Sequence, residues 1–507
     1  MDKIIVLDFG SQYSHLICRR IRDFSVYAEL VSHDITPDKL AELDPKGVIF
    51  SGGPSSVYNS DAPLPKDYIF DLGLPILGIC YGHQLIVNNL GGKVKRANKE
   101  YGSSLLSVDD DDDLLSGIGE SVRAWMSHGD EAEQIPSGFE VIGHTESAKA
   151  AAIADKKRSI YGIQFHPEVV HTEQGGEILK NFVLKICGAK QEWTMESFIE
   201  ESVQKISKID GNVLCGVSGG IDSTVAALLI HKAIGDRLKC VFVDNGLLRL
   251  NEESEIEEMF KDNFQVNFTP LHSAQRFLGR LKGISDPEQK RKIVGEEFIA
   301  IFSEFAKKNG PFKWLAQGTL YPDVIESGVS KGPASVIKSH HNVGGLPDWL
   351  EMEILEPLRE LYKDEVRKVA KILRVPQKLI VRHPFPGPGL SVRIIGEVTP
   401  KKLEIAKVAS KIVEDELSEA DLYDRVWQAY AAVGDDMAVG VVGDQRRYGN
   451  IVMIRVVESI DAMTADWSRL PHGLLEKISN RITNEIEDVT WVTYAVSSKP
   501  PATIEPQ

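Results

Sequence analysis

The sequence predicts a multidomain α/β protein with an α+β domain at its end, and three observations carry this prediction. The chain has 507 residues, more than one hydrophobic core usually serves. Short apolar runs typical of buried strands alternate with helix-like stretches, first over residues 1–190 and again after residue 210. After a segment rich in proline and glycine, the predicted strands and helices of the last part of the chain give an α+β pattern. We therefore expect two α/β domains followed by a smaller α+β domain.

The first domain is expected over residues 1–190, as a mostly parallel sheet covered by helices. Its rhythm of apolar and amphipathic stretches is typical of strands linked by helical crossovers. The predicted strands cover residues 4–7, 47–50, 76–79 and 160–165, and the predicted helices 13–23 and 84–90.

The second domain is expected over residues 191–382. Gly188, Ala189 and Lys190 interrupt the pattern, and Thr194 then suits the N-cap of an amphipathic helix. Strand-like residues 213–217 and 240–244 flank an alanine-rich and leucine-rich helix at 224–233, which indicates a βαβ unit with parallel strands.

The third domain is expected over residues 383–507. Residues 383–390 hold too much proline and glycine to continue a helix or a central strand, so they indicate a boundary. Predicted strands at 451–457 and 491–496 and predicted helices at 402–417 and 471–487 give this domain an α+β pattern.

Composition excludes several classes of protein. A formal charge of −16 opposes nucleic acid as the main partner, and no apolar stretch is long enough to span a bilayer. The five cysteines form no CxxC pair and no zinc-like spacing with histidine. The first residues lead directly into a strand without the features of a signal peptide, so we expect a cytoplasmic protein that binds neither membrane nor nucleic acid.

Cys80, His166 and Glu168 have the residue types of a nucleophilic triad. Cys80 follows a buried strand and precedes a helix, a context in which the positive end of the helix dipole favours a thiolate. Gly78 and Gly82 permit the sharp turn that exposes such a nucleophile. His166 and Glu168 are two residues apart, so on an extended segment both project to one side and the carboxylate can orient the imidazole.

A tetrahedral intermediate at Cys80 needs backbone donors for its oxyanion. The loop Ser51-Gly52-Gly53-Pro54 and the amide after Cys80 could supply them. Together these residues resemble the class I glutamine amidotransferases. The resemblance implies that Cys80 is the nucleophile, His166 the base and Glu168 its partner in hydrolysing the side-chain amide of glutamine. It further implies that Gly53 and Tyr81 donate to the oxyanion, and that glutamine is held by Gln84, Ser127, His128 and Gly129.

A second reaction centre is predicted at Ser218-Gly219-Gly220-Ile221-Asp222-Ser223. This turn joins a strand to a helix, so backbone amides and the helix dipole can converge on phosphate oxygens. It lacks the Walker A pattern GxxxxGK[ST] and instead resembles the PP-loop of ATP pyrophosphatases. Asp244 ends the next strand, where ligands gather in open α/β sheets, and the resemblance implies that this region receives the adenosine.

Asp323 and Glu326 are three residues apart, so their carboxylates can share one face and bind Mg²⁺ that bridges phosphates. A surface turn is the alternative interpretation of this pair. Residues 331–345 are rich in glycine, lysine and histidine, including Lys338, His340 and His341, and are typical of a mobile lid over the phosphates.

Over nearly its whole length the chain resembles the glutamine-hydrolysing GMP synthetases. The resemblance is carried by residues 8–13, the PP-loop, and residues 323–327, 339–347, 382–390 and 499–505. It implies amination of XMP to GMP with ammonia from glutamine, through an adenylyl-XMP intermediate, with release of AMP, pyrophosphate and glutamate.

The same resemblance implies XMP binding by Arg276, Gln428, Lys499 and Glu505, and a homodimer formed by the third domain. The chain departs from the family in ending Pro506-Gln507 where relatives commonly have Trp-Glu, and in having His83 where many relatives have Met. The first departure puts the contacts of the terminal segment in question.

Three other functions share part of this pattern. An NAD or asparagine synthetase would also aminate with ATP, but usually pairs it with a different glutaminase. A tRNA-modifying PP-loop enzyme would need a basic face and cysteine pairs. A nucleotide-sensing protein with decayed sites would not need an intact triad and loop.

Overall fold

The computed structural model describes residues 1–323, 352–442, 444–459 and 464–507. Two compact units make up the chain, Met1–Ser197 and Phe198–Gln507. Glu326 and the expected lid at 331–345 lie outside the described residues.

The first unit is built on a nine-stranded sheet in the order β2-β1-β3-β4-β9-β8-β7-β5-β6. Its strands are β1 Lys3–Asp8, β2 Tyr27–Ser32, β3 Gly47–Phe50, β4 Ile76–Ile79, β5 Lys93–Val108, β6 Ser121–Gln134, β7 Glu140–His144, β8 Ala152–Asp155 and β9 Ile160–Ile163. The strands β2, β1, β3, β4 and β9 run parallel, whereas β8, β7, β5 and β6 are joined by antiparallel pairing. The parallel part was expected; the antiparallel extension between β4 and β9 was not.

Helices cover the parallel strands of the first unit. They are α1 Ser14–Arg22, α2 Pro37–Leu43, α3 Tyr81–Asn89 and α4 Gly175–Lys180. Strands β3 and β4 are buried along their whole length, as expected for parallel strands covered on both faces. The helix α5 Met195–Ser207 follows, and Thr194 Oγ1 accepts a hydrogen bond of 3.1 Å from Ser197 N, which confirms the predicted cap.

The second unit contains a parallel five-stranded sheet in the order β12-β11-β10-β13-β14. Its strands are β10 Val213–Gly216, β11 Leu238–Asp244, β12 Phe268–His272, β13 Trp314–Ala316 and β14 Glu353–Leu355. Its helices are α6 Ile221–Ile234, α7 Glu252–Glu258, α8 Ala274–Leu281, α9 Pro287–Asn309, α10 Lys363–Ile372 and α11 Gln377–Ile380. The predicted βαβ unit is confirmed as β10-α6-β11.

A further sheet of the second unit carries the end of the chain. Its strands are β15 Gln428–Val442, β16 Gln445–Glu458, β17 Asp466–Trp467 and β18 Val489–Tyr494. Strand β16 pairs antiparallel with β15 and β17, and parallel with β18. The helices α12 Pro400–Glu419 and α13 His472–Glu485 pack on this sheet. The resulting α+β arrangement matches the predicted pattern.

One cluster of buried apolar residues joins both sheets of the second unit, and includes Leu214 and Val241 as well as Ile412 and Ile454. Among the described residues, no helix combines the length and apolar character needed to cross a bilayer.

Candidate active sites

Cys80 occupies a strained turn between β4 and α3. Its backbone has φ 54° and ψ −104°, outside the regions that non-glycine residues favour. Crowding around the turn demands glycine on both sides: a Cβ at Gly78 would lie 2.4 Å from the Gly82 carbonyl oxygen, and a Cβ at Gly82 would lie 2.3 Å from the Phe50 carbonyl oxygen. The sharp elbow predicted from the two glycines is present.

Strand pairing brings His166 to Cys80. Strand β9 lies parallel to β4, and Cys80 N donates to Ile163 O at 2.8 Å, so the segment after β9 passes beside the thiol. His166 Nδ1 lies 2.7 Å from Glu168 Oε1, and both side chains are buried. The structure therefore brings the three residues of the predicted triad together.

The protonation of His166 follows from these neighbours. Burial lowers the pKa of His166, but the Glu168 carboxylate and the hydrogen bond to Cys80 outweigh burial and raise the pKa to about 11. The imidazole is therefore held in its charged form between a carboxylate and the sulfur, ready to give a proton to a leaving group.

The predicted oxyanion donors lie beside the thiol. Gly53 and Tyr81 line a cavity of about 760 Å³ together with Cys80 and His166. Within the described residues neither the Gly53 amide nor the Tyr81 amide donates to another group. A Cβ at Gly53 would lie 2.6 Å from the Phe9 carbonyl oxygen, so only glycine permits this approach of the loop. The pair has the composition of an oxyanion hole.

The residues expected to hold glutamine line the same cavity. They are Gln84, Ser127, His128 and Gly129. Gln84 Nε2 donates to Asp130 O at 3.0 Å, and the Cys80 thiol is 3.5 Å from Ser127 O.

Asp130 was not singled out from the sequence, although it follows Gly129 directly. Its carboxylate accepts hydrogen bonds from Ser56 Oγ and, at 2.6 Å, from Tyr58 OH. These contacts fasten the segment after Gly53 to strand β6.

The PP-loop joins β10 to α6. Gly219 has φ 77°, and a Cβ there would lie 2.2 Å from Ile256 Cδ1, so the turn requires glycine. Ser223 Oγ accepts from Ser218 N at 3.2 Å and closes the loop on itself. A cavity of about 590 Å³ lies against residues Ser218, Gly219, Gly220, Ile221 and Asp222. Because a helix leaves its first-turn amides without intrahelical partners, this end of α6 suits an anion.

Asp222 is paired with Lys363, which the sequence did not point to. The Lys363 ammonium lies 2.7 Å from Asp222 Oδ1, and Lys363 also lines the loop cavity. A cation on α10 is thus placed where phosphate is expected.

Asp244 lies at the end of β11, beside this cavity and not in its lining. Its Oδ1 accepts a hydrogen bond of 2.8 Å from Gly246 N. Glu253 and His272 lie near Asp244, and one side-chain N or O atom of each of the three residues lies within 4.8 Å of the others.

The predicted metal pair is only partly within the described residues. Asp323 Oδ2 accepts from Leu320 N at 3.0 Å. Glu326 lies outside the described part of the chain, so the pairing of the two carboxylates stays a prediction.

Two of the four residues expected to bind XMP meet. Gln428 Nε2 donates to Glu505 Oε1 at 2.6 Å. The same carboxylate receives two hydrogen bonds from Arg393, at 3.1 and 2.9 Å, and the guanidinium lies over the Tyr430 ring. Arg393 is almost fully buried and was missed because no motif marks it.

The other two predicted XMP residues are placed differently. The backbone of Lys499 pairs with Ala465, with Lys499 N donating to Ala465 O at 2.7 Å. Arg276 lies on α8 and is paired with Glu297 at 2.6 Å and Glu304 at 2.8 Å. These carboxylates, Glu304 foremost, raise the pKa of Arg276.

Models of three known protein families match different parts of the chain. A family model described as glutamine amidotransferase class-I matches residues 5–186, one described as NAD synthase matches residues 193–276, and one described as GMP synthase C terminal domain matches residues 415–506. The first match covers the triad and the second covers the PP-loop.

Curated proteins resemble the chain from end to end. The chain is 51% identical over 510 residues to the GMP synthase [glutamine-hydrolyzing] of Clostridium acetobutylicum, with 100% of both chains covered. It is 53% identical over 506 residues to the protein of that name from Caldicellulosiruptor saccharolyticus, with 99% of each covered. Its identity to the protein of that name from Brachyspira hyodysenteriae is 50% over 508 residues, with 100% of this chain and 99% of the other covered.

Proposed function

The chain belongs to the family of glutamine-hydrolysing GMP synthases, and from this premise we propose how its residues divide the work. The enzyme is a ligase that aminates XMP to GMP with ATP, using nitrogen from glutamine. The observation that carries the division is that the Cys80 elbow and the PP-loop lie in different compact units. One centre releases ammonia and the other makes the purine electrophilic.

At the first centre, the Cys80 sulfur attacks the carboxamide carbon of glutamine. The amides of Gly53 and Tyr81 stabilise the oxyanion, and His166 gives its proton to the departing ammonia. Water then attacks the thioester, with His166 taking the proton and Glu168 supporting the charged imidazole. The C–S bond breaks, so the Cys80 thiolate is regenerated and glutamate is released. Gln84, Ser127, His128 and Gly129 position the substrate. This assignment is supported by the 2.7 Å contact between His166 and Glu168.

At the second centre, the PP-loop binds the β- and γ-phosphates of ATP through amides of residues 218–223. Attack of the XMP C2 oxygen on the α-phosphorus gives adenylyl-XMP and pyrophosphate, and ammonia then displaces AMP. Activation is needed because an enolic oxygen leaves poorly and a phosphate ester leaves well. Lys363 supports the assignment, since its ammonium lies in the loop cavity beside Asp222 and within reach of a bound phosphate group. Asp244 is assigned to the adenosine end.

We assign Mg²⁺ to the carboxylates of Asp323 and Glu326. Asp323 fits this assignment, because its Oδ2 is held by Leu320 N and the side chain is thereby oriented. Carboxylate oxygens are preferred Mg²⁺ ligands, and the ion would neutralise phosphate charge when bound.

XMP is assigned to Arg276, Gln428, Lys499 and Glu505. Lys499 and Arg276 have the charge required by a 5′-phosphate, and Glu505 with Gln428 can exchange hydrogen bonds with the base. The direct contact of Gln428 with Glu505 supports a common role for these two.

We also propose three domains, at 1–190, 191–382 and 383–507, and a cytoplasmic homodimer joined through the third. The sheet of the third domain supports the dimer, because Val439, Val441, Tyr448 and Trp491 are exposed on β15, β16 and β18. Val439 and Tyr448 are directly opposite each other across β15 and β16, so they share a face. An apolar exposed face of this kind is typical of an interface.

The division of labour is tested by Cys80→Ala with two nitrogen sources. We expect the variant to lose GMP formation from glutamine and to keep formation from ammonium salt. Wild-type enzyme given amide-¹⁵N glutamine should place the label on the exocyclic nitrogen of GMP. Loss of both activities in the folded variant, or GMP without label, would refute the proposal.

A further inference from the structure

A buried arginine donates several hydrogen bonds to the final segment of the chain. Arg455 on β16 is 4% exposed. Its Nη1 donates to Ser497 O at 2.6 Å, its Nη2 to Thr503 O at 2.8 Å and its Nε to Ile504 O at 3.4 Å. One planar group therefore bonds to both ends of the loop formed by residues 497–504.

This loop determines the positions of two residues that are proposed to bind XMP. Lys499 lies within it, and its backbone is fixed from the other side by Ala465, through hydrogen bonds of 2.7 and 3.1 Å. Glu505 follows the loop directly, and its carboxylate is fixed by Arg393 and Gln428. Arg455 is the group that connects these two anchored points.

Other side chains contact the end of the loop and the residues that follow it. Tyr430 OH donates to Ile504 O at 2.7 Å. The buried Lys290 Nζ donates to Gln507 Oε1 at 2.5 Å, and Arg291 Nη2 donates to Gln507 O at 2.6 Å. The terminal residue that differs from the common family pattern is thus held by side chains of α9.

Burying a charged side chain at position 455 costs free energy unless hydrogen bonds compensate for the lost hydration. Burying a guanidinium away from water loses hydration energy, which an apolar side chain of similar length would not lose. The rigid fork of arginine donates in several fixed directions, whereas lysine offers a single point of charge. The three main-chain acceptors around Arg455 use that fork.

We infer that Arg455 is a positioning residue that sets the spacing between Lys499 and Glu505 and thereby the KM for XMP. This inference rests on the proposed XMP site. Arg455 need not touch the nucleotide, because it acts through the carbonyl groups of the loop.

The test compares Arg455→Met and Arg455→Lys with wild type in ammonia-supported GMP synthesis. Losing charged hydrogen bonds should raise the KM for XMP by about tenfold to a hundredfold. The kcat at saturating XMP should stay within about threefold, since bound XMP restores the loop. Lysine can reach one carbonyl and should give an intermediate KM.

Arg447→Met is the matched control on the same strand. Arg447 is paired with Glu487, at 3.3 Å, and makes no contact with the loop in the described structure. We expect its KM for XMP to be that of wild type. Hydrogen exchange in peptides covering 497–505 should quicken in Arg455→Met and not in Arg447→Met.

The outcomes separate the inference from its premise. Glu505→Gln should raise the KM for XMP if the proposed site is correct, and an unchanged KM would overturn that site. If Glu505→Gln raises the KM and neither Arg455 variant does, the inference about Arg455 is wrong. Should Arg455→Met fail to fold, an unchanged KM in Arg455→Lys would have the same meaning. A fall in kcat of the Arg455 variants without a change in their KM for XMP would also contradict the inference about Arg455.

Discussion

His83 offers a direct test of the packing behind the nucleophile. It lies on α3, is fully buried, and within the described residues neither of its ring nitrogens has a hydrogen-bond partner. The ring fills the space over Gly162 on β9, where a Cβ would be 2.4 Å from His83 Nδ1. Methionine is flexible, similar in volume and without a titrating group, so His83→Met removes the imidazole and keeps the packing.

The effect depends on pH with a definite sign. Burial, and secondarily the neighbouring His128, lower the pKa of His83 from 6.5 to about 3. Between these values the unfolded chain binds a proton that the folded chain does not, so this contribution to stability falls as pH falls below 6.5. The two pKa values predict a loss of about 2 kcal/mol on going from pH 8 to pH 5, or about 30-fold in the folding equilibrium.

The assay is hydrogen exchange of the whole protein, read in peptides from α3 and β9 after correction for intrinsic rates. Between pH 8 and pH 5, the protection of these peptides should fall about 30-fold more in the wild-type protein than in His83→Met. At pH 8 the two proteins should differ by less than about 1.5 kcal/mol.

His171→Met is the control, because His171 is exposed and its replacement should leave the pH dependence of these peptides as in wild type. Equal losses of protection in wild type and His83→Met would refute the reasoning. So would a larger loss in the variant.

Two further predictions concern the loops at the reaction centres. In Gly82→Ala the new methyl group would collide with the Phe50 carbonyl, so glutamine-supported synthesis should fall at least a hundredfold while ammonia-supported synthesis persists. The matched control is Gly176→Ala on α4, where a Cβ would lie more than 4 Å from any other group, and this variant should be fully active. Equal activity in both variants would contradict the need for glycine at the Cys80 turn. Asp222→Ala should reduce GMP synthesis from either nitrogen source by at least tenfold, while glutamine hydrolysis at Cys80 continues. A normal rate of ammonia-supported synthesis would contradict the role proposed for the PP-loop.

Local sequence patterns predicted the parallel cores well. The strand over residues 47–50 and the βαβ unit around the PP-loop agree with the structure because buried parallel strands are continuous apolar runs. Strands β5 and β6 escaped prediction, because β5 is largely polar and the buried face of β6 includes the polar residues His128 and Asp130, which interrupt its apolar alternation.

Most of the site residues that the sequence did not reveal are far along the chain from the residues that they contact. Lys363 is 141 positions from Asp222, and Arg455 is 48 positions from Thr503. A sequence motif specifies a local turn, but the partner that completes its charge comes from another element, whose register is set by tertiary packing. Asp130 is the exception, because it continues the Ser127-His128-Gly129 run and could have been included with it.

The pairing of β4 with β9 has a consequence for how the glutaminase can vary. Cys80 and His166 follow adjacent strands, whose backbones lie about 4.8 Å apart, so the pairing of these strands brings the two residues close together. The antiparallel strands β5 to β8 form an excursion between these two positions in the chain. That excursion can therefore lengthen, shorten or acquire new contacts while the reacting pair keeps its separation.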